Sequence, residues 1–315
     1  MSGTTKRALV LGCGGVAGGA WTIPTLASLQ QQLDWDARDA EIIVGTSVGA
    51  LLASLIGAGV SVETLLASQK GETEHHEFPW DHQQDWGTWY PPLPKLKLSA
   101  QQLIKHGLTG KASLVTAISG ALPSGQMPLD SHDRVIRHFA GEEEWVSHNA
   151  TWIIAVEDNS GERVAFGHHM APNIPIEKAV RASYAVPGWC PPVEHGNSIY
   201  MDGGIASPTS ADLLVNEEID EVVVLAPMAS SNTDNPNSLL SKIERKARNY
   251  MTGIVDREIA MLRNAGKKVI RLEPGPKDLS AIGFNMMDHR RRTRVLSTAI
   301  EQSETSVNQA IKNAY

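Results

Sequence analysis

The stretch Glu41-Ile-Ile-Val-Gly45-Thr46-Ser47-Val48-Gly49-Ala-Leu-Leu-Ala-Ser-Leu-Ile56-Gly57 changes character halfway along. Its first part is a short β-branched run, as in a buried strand. Its second part is rich in Ala and Leu until Gly57-Ala58-Gly59 stops it, as in a helix. The change falls at Ser47, which is therefore predicted to sit between strand and helix. Gly45-Thr46-Ser47-Val48-Gly49 fits G-x-S-x-G, the pattern of a nucleophile elbow: the sharp turn strains the serine outward, and Gly45 and Gly49 let the two backbones approach. With 27 Gly in 315 residues, random order yields roughly 0.2 such matches per chain, so the strand-turn-helix context carries the reading. The free N–H groups and positive dipole end of the helix favour an alkoxide-like Ser47. The plainer alternative is a strand-to-helix turn capped by serine.

Upstream, residues 7–12 (Arg-Ala-Leu-Val-Leu-Gly) read as a buried parallel strand, residues 12–19 as a glycine-rich turn and Ala20 to Leu33 as a helix. A glycine turn at a strand's carboxyl end can aim backbone N–H groups at an oxyanion, and Gly14 and Gly15, with Val16 as a third, are the expected donors. Gly12, Gly14 and Ala17 also match a dinucleotide fingerprint, G-x-G-x-x-A. That reading calls for an acidic residue at the end of the second strand, which here runs into Gly45-Thr46-Ser47.

Downstream, Glu72 to Leu98 loses periodicity and is expected to form a cap or lid, within an insertion spanning about residues 72–145. Regular structure returns with a strand at Thr151 to Val156, in a hairpin from Ile153 to Phe166 turning at Asp158-Asn159-Ser160-Gly161. Further strands are predicted at Ser198–Met201, Glu221–Leu225 and Lys268–Leu272, and helices around 239–265 and 288–312. Strands alternating with helices predict an α/β fold with a doubly wound, largely parallel sheet flanked by helices. No composition step marks a linker, so residues 1–315 are expected to form a single domain.

Tyr200-Met201-Asp202-Gly203-Gly204 is a strand ending in aspartate, which alone reads as a turn. In the company of the glycine loop and the G-x-S-x-G elbow, in that order, it resembles the patatin-like phospholipases. The segment from Arg181-Ala182-Ser183 to Pro187, followed by Pro191-Pro192-Val193, strengthens the likeness. The resemblance implies Ser47 as nucleophile, Asp202 as base, Gly14 and Gly15 as oxyanion hole, Gly203 and Gly204 as supporting turn, no catalytic histidine and no cofactor or metal. It implies an acyl-enzyme route acting on acyl lipids, such as phospholipid or lysophospholipid, or on other carboxylic esters. An ordinary aspartate is a poor base for a hydroxyl, so Asp202 is expected to be desolvated. One departure stands out: where the family's loop carries Arg or Lys, this chain has Ala17. The alternatives are a non-catalytic acyl-lipid binding or regulatory protein of the same fold, and a Ser-His-Asp esterase drawing on His168, His169, His195 or His289.

Composition supports a globular chain, with 42% hydrophobic and 20% charged residues. A net charge of -7 gives no reason to expect nucleic acid, and Arg290, Arg291, Arg292 and Arg294 read as one solvated helix turn. Two cysteines, Cys13 and Cys190, exclude a disulfide framework, and no signal peptide or membrane-spanning run is found. A cytoplasmic protein with at most peripheral membrane contact is expected; nothing in the sequence sets its oligomeric state. Phe78, Trp80, Trp86, Trp89 and Tyr90 suit cap packing or an interfacial lid. Glu74, His75, His76, Glu77 and His82 read as solvated rather than as a metal site.

Overall fold

The β-branched runs become strands of one mixed, largely parallel sheet in the computed structural model, which describes residues 5–93, 100, 102–103, 120–148, 150–232 and 234–315. The strands are β1 (Arg7–Leu11), β2 (Ile42–Thr46), β3 (Thr151–Glu157), β4 (Arg163–Phe166), β5 (Val193–His195), β6 (Ser198–Asp202), β7 (Glu221–Leu225) and β8 (Lys268–Leu272). Strands β3, β2, β1, β7 and β8 lie side by side and parallel. The helices are α1 (Gly15–Leu33), α2 (Val48–Gly57), α3 (Val62–Lys70), α4 (Asp130–Ala140), α5 (Ile176–Ser183), α6 (Leu239–Asn264), α7 (Pro276–Ile282) and α8 (Arg292–Ala314).

The period of two along each strand decides what covers each face. Leu9, Leu11, Ile43, Val223 and Leu225 pack beneath α1, α2 and α8. Ala8, Val10, Ile42, Val44 and Val224 point the other way, onto Val255, Ile259 and Leu262 of α6. Helices therefore cover both faces, and the central strands β1, β2 and β7 are apolar over most of their length, as a sheet buried on both sides requires.

Strand β3 is the longest, and its register places the site. Residues Ile43 to Thr46 of β2 pair with Thr151 to Ile154. Beyond that point β6 arrives antiparallel, with Asp202 opposite Ala155. Because β4 pairs with Ile153 to Val156, it occupies the other edge, and β2 and β6 must share one. The two strands meet end to end there, and the residues at the junction are Ser47 and Asp202.

Three local expectations change. Helix α1 begins at Gly15, not Ala20, so only the first part of the glycine run is a turn. Gly18 and Gly19 lie inside the helix, where neighbours pack close enough to favour glycine: a Cβ on Gly19 would lie 2.9 Å from Val48, and one on Gly18 3.3 Å from Pro227. Helix α3 is an addition, although Ser61 caps its start by accepting the Thr64 amide and Gly71 ends it at φ 77°, both readable signals. Finally, the arginine cluster is solvated only in part. Arg291 donates to the Ala281 carbonyl (2.8 Å) and Arg292 to that of Gln69 (2.5 Å), at the carboxyl ends of α7 and α3, where unpaired carbonyls attract cations. Arg290 pairs with Asp288 and lies 3.8 Å over the Trp89 ring, yet it stays exposed, as does Arg294.

In the irregular segment, Phe78, Trp80 and Trp86 are buried in the main core, with Trp80 edge-on to Trp86 at 4.7 Å. Trp89 and Tyr90 are exposed.

Candidate active site

At the end of β2 the backbone of Ser47 adopts φ 57°, ψ -122°, a region that a side-chain-bearing residue enters only when its surroundings force it. Those surroundings are steric. A Cβ on Gly45 would stand 2.4 Å from the Gly49 carbonyl oxygen, and one on Gly49 2.0 Å from that of Leu11. Two glycines thus let α2 turn back tightly over the sheet, and Ser47 is held at the apex.

The apex is tied to β3 through a residue outside the glycine loop, the elbow and the aspartate turn. The Ser47 amide donates to Ser183 Oγ (2.9 Å), whose hydroxyl donates to the Ile154 carbonyl (2.5 Å). Ser183 ends α5, inside the Arg181-Ala182-Ser183 segment, but only the fold shows what its hydroxyl does. It is a positioning residue. Ser183→Ala is expected to lower kcat for ester turnover about tenfold with little change in KM, and to cost about 1–2 kcal/mol of stability through two lost buried hydrogen bonds; steady-state kinetics with urea unfolding checks both.

Asp202 is 5% exposed. Burial lifts its pKa from 3.8 to about 7, against the opposing pull of the Gly204 amide and the Ser47 hydroxyl. The Gly204 N–H reaches Oδ1 at 2.7 Å. Behind Asp202 the chain is fixed by α6: Ser207 and Thr209 hydroxyls both donate to the buried Glu258 carboxylate.

Across from this pair lies the glycine loop. The Gly12 amide is taken by Leu225 O and that of Cys13 by Pro208 O; the Ala17 amide donates to Met286 O, and that of Gly18 to Gly14 O. Among the described residues the amides of Gly14, Gly15 and Val16 have no backbone acceptor, at the amino end of α1. Gly15 sits at φ +57°, and a Cβ there would meet Met287 Sδ at 2.7 Å. Ala17 brings no charge, but a guanidinium lies beneath the loop. Fully buried Arg248 of α6 donates to Pro227 O (2.6 Å), and the Pro227 ring packs on Gly14 and Gly18.

Ser47, Asp202, Gly14, Gly15 and Gly204 line one cavity of about 350 Å³, walled by Val186, Trp189, Met228, Met251, Met286 and Met287. Methionine walls are apolar and conformationally adaptable. Among the described residues no histidine lines this cavity. His168 packs edge-on against Trp152, His195 bonds the Asn173 carbonyl and His289 lies in the turn before α8. Among the described residues no three His, Cys, Asp or Glu side chains are grouped as metal ligands. His82 hydrogen-bonds Ser68 and Trp86 instead. No helix among the described residues is long and apolar enough to cross a membrane.

No curated protein sequence matches the chain. Among solved structures it is similar to VipD from Legionella pneumophila, at 11% identity and a TM-score of 0.45, covering 98% of this chain and 67% of that one. It is similar also to the type III effector protein ExoU, at 13% identity and a TM-score of 0.40, covering 97% of this chain and 53% of that one. At such scores neither likeness bears on the site. The profile described as patatin-like phospholipase matches residues 9–215, from β1 to a point beyond Asp202 and the turn that follows it. The chain belongs to the patatin-like phospholipase family.

Proposed function

We propose that this protein hydrolyses acyl esters of lipids, phospholipid or lysophospholipid, through a Ser47–Asp202 dyad. The observation that carries the reading is the meeting of a strained serine with a buried carboxylate inside an apolar cavity, beside three amides that lack backbone acceptors among the described residues. In the proposed cycle Ser47 Oγ attacks the ester carbonyl carbon and its proton passes to Asp202. The amides of Gly14, Gly15 and Val16 receive the oxyanion, and a preorganised donor of this kind contributes about 3 kcal/mol to the transition state. Collapse breaks the carbonyl–alcohol bond, the proton on Asp202 goes to the departing alcohol, and the acyl group stays on Ser47. Water then repeats the sequence: Asp202 takes its proton, the acid departs and Ser47 is restored.

The reading extends to a single hydrolase domain, supported by the core that α1, α2 and α8 share; of the proposed insertion at about residues 72–145, residues 94–99, 101 and 104–119 lie outside the described residues. On this reading the enzyme works in a reducing, cytoplasmic compartment, in keeping with two unpaired, buried cysteines. The test is direct. A fluorophosphonate probe is expected to add its mass to a peptide containing Ser47, and the purified protein to release free fatty acid from phospholipid or lysophospholipid vesicles. A protein that binds acyl lipid but neither labels nor releases acid is a carrier, and the hydrolase reading then fails.

A further inference from the structure

Helix α6 buries one side and leaves the other unusually apolar. Glu244, Arg245, Arg248, Thr252 and Val255 face the protein. On the opposite side Leu240, Ile243, Ala247 and Tyr250 recur at spacings of three and four, one stripe of a helix. Leu239, Leu240, Ile243 and Tyr250 are 73%, 53%, 56% and 48% exposed. The next residue, Met251, is in the wall of the candidate catalytic cavity. Phe284, 48% exposed, stands in the same wall; its neighbour Asn285 donates to the Trp89 carbonyl, which brings exposed Trp89 and Tyr90 alongside. Lys242 and Lys246 are exposed beside the stripe, on a chain whose net charge is -7.

We infer that the exposed face of α6 is a docking surface for an anionic lipid bilayer, resting on the hydrolase reading for its benefit but not for its chemistry. The stripe suits the headgroup–acyl boundary, where Leu, Ile and Tyr bury and lysines meet anionic headgroups. Position decides the occupant. Lys242 and Lys246 flank the stripe with positive charge, and the stripe runs up to Met251 in the cavity wall, so an anionic bilayer seated there would lie at the cavity's edge. Local sequence points to the aromatic segment for interfacial contact; the fold adds α6.

The experiment separates docking from catalysis. On a Ser47→Ala background, binding to phosphatidylglycerol/phosphatidylcholine vesicles is measured by sedimentation. Leu240→Glu with Ile243→Glu is expected to lower the partition coefficient at least about tenfold. Lys242→Glu with Lys246→Glu is expected to do so on anionic vesicles and not on pure phosphatidylcholine. With Ser47 intact, the Leu240/Ile243 variant is expected to keep turnover of soluble p-nitrophenyl butyrate while losing vesicle hydrolysis at least about tenfold. Equal sedimentation of parent and variants overturns the inference, as does a parent dimer that the Leu240/Ile243 variant converts to monomer with vesicle binding unchanged. A parent that binds vesicles through α6 and turns over no ester sinks the hydrolase reading and leaves docking standing.

Discussion

Ser47→Ala is expected to reduce kcat/KM for p-nitrophenyl esters at least about 10⁴-fold, the scale on which hydrolases fail when their nucleophile is removed. The variant should fold. Ser47 sits at φ 57° because Gly45 and Gly49 allow α2 to close on the sheet, and alanine tolerates that backbone no worse than serine. The hydrogen bond from its backbone N–H to Ser183 Oγ is untouched. Near-native circular dichroism and unfolding midpoint, with fluorophosphonate labelling abolished, are therefore the expected companions of lost turnover. A Ser47→Ala protein that hydrolyses these esters at the parent's rate refutes the assignment of Ser47.

Asp202→Asn is expected to lower kcat at least about 10³-fold, because the amide cannot accept the Ser47 proton. Ala substitutions of His168, His169, His195 or His289 should change it by no more than about twofold, since none lines the cavity. Inactivation by His289→Ala in place of Asp202→Asn would establish the histidine triad. The parent's pH profile follows from burial, which lifts the Asp202 pKa from 3.8 to about 7. The base works only when ionised, so kcat is expected to rise with pH through about 7.

The same displacement has a stability sign. The folded pKa is raised, so the contribution of Asp202 is fully present below 3.8 and is lost as pH rises through about 7. By pH 8 the parent forgoes about 4 kcal/mol, each tenfold change in proton affinity being about 1.4 kcal/mol. The amide of the Asp202→Asn variant does not titrate. Urea unfolding at pH 4 and pH 8 is therefore expected to show the variant gaining on the parent as pH rises, the site holding a carboxylate the fold would rather keep neutral. A stability difference independent of pH would contradict a buried Asp202.

Much of this is legible along the chain because it is local chemistry. The runs at Arg7–Leu11, Ile42–Thr46 and Glu221–Leu225 are strands because β-branched and aliphatic residues buried on both faces admit few other states. The helix after Ser47 follows from Ala, Leu and a glycine stop. Gly18 and Gly19 read as turn because glycine is a weak helix former; the close approach of Val48 and Pro227 that favours glycine within the helix is formed only on folding. Arg291 and Arg292 read as solvated because helix ends such as Gln69 and Ala281 become neighbours only on folding.

The sequence by itself determined the order of strands and helices, the sharp turn at Ser47 and the chemical types available: a hydroxyl, a carboxylate and a run of bare amides. Those depend on residues a few positions apart. Only the tertiary structure decided that β2 and β6 end against each other on one edge of β3, with Asp202 beside Ala155 where Thr46 has just left Ile154. It also decided that Asp202 is buried there, with Ser183 steadying the turn opposite. Strand register and desolvation arise between segments remote along the chain, through hydrogen bonds and excluded water that no local pattern encodes.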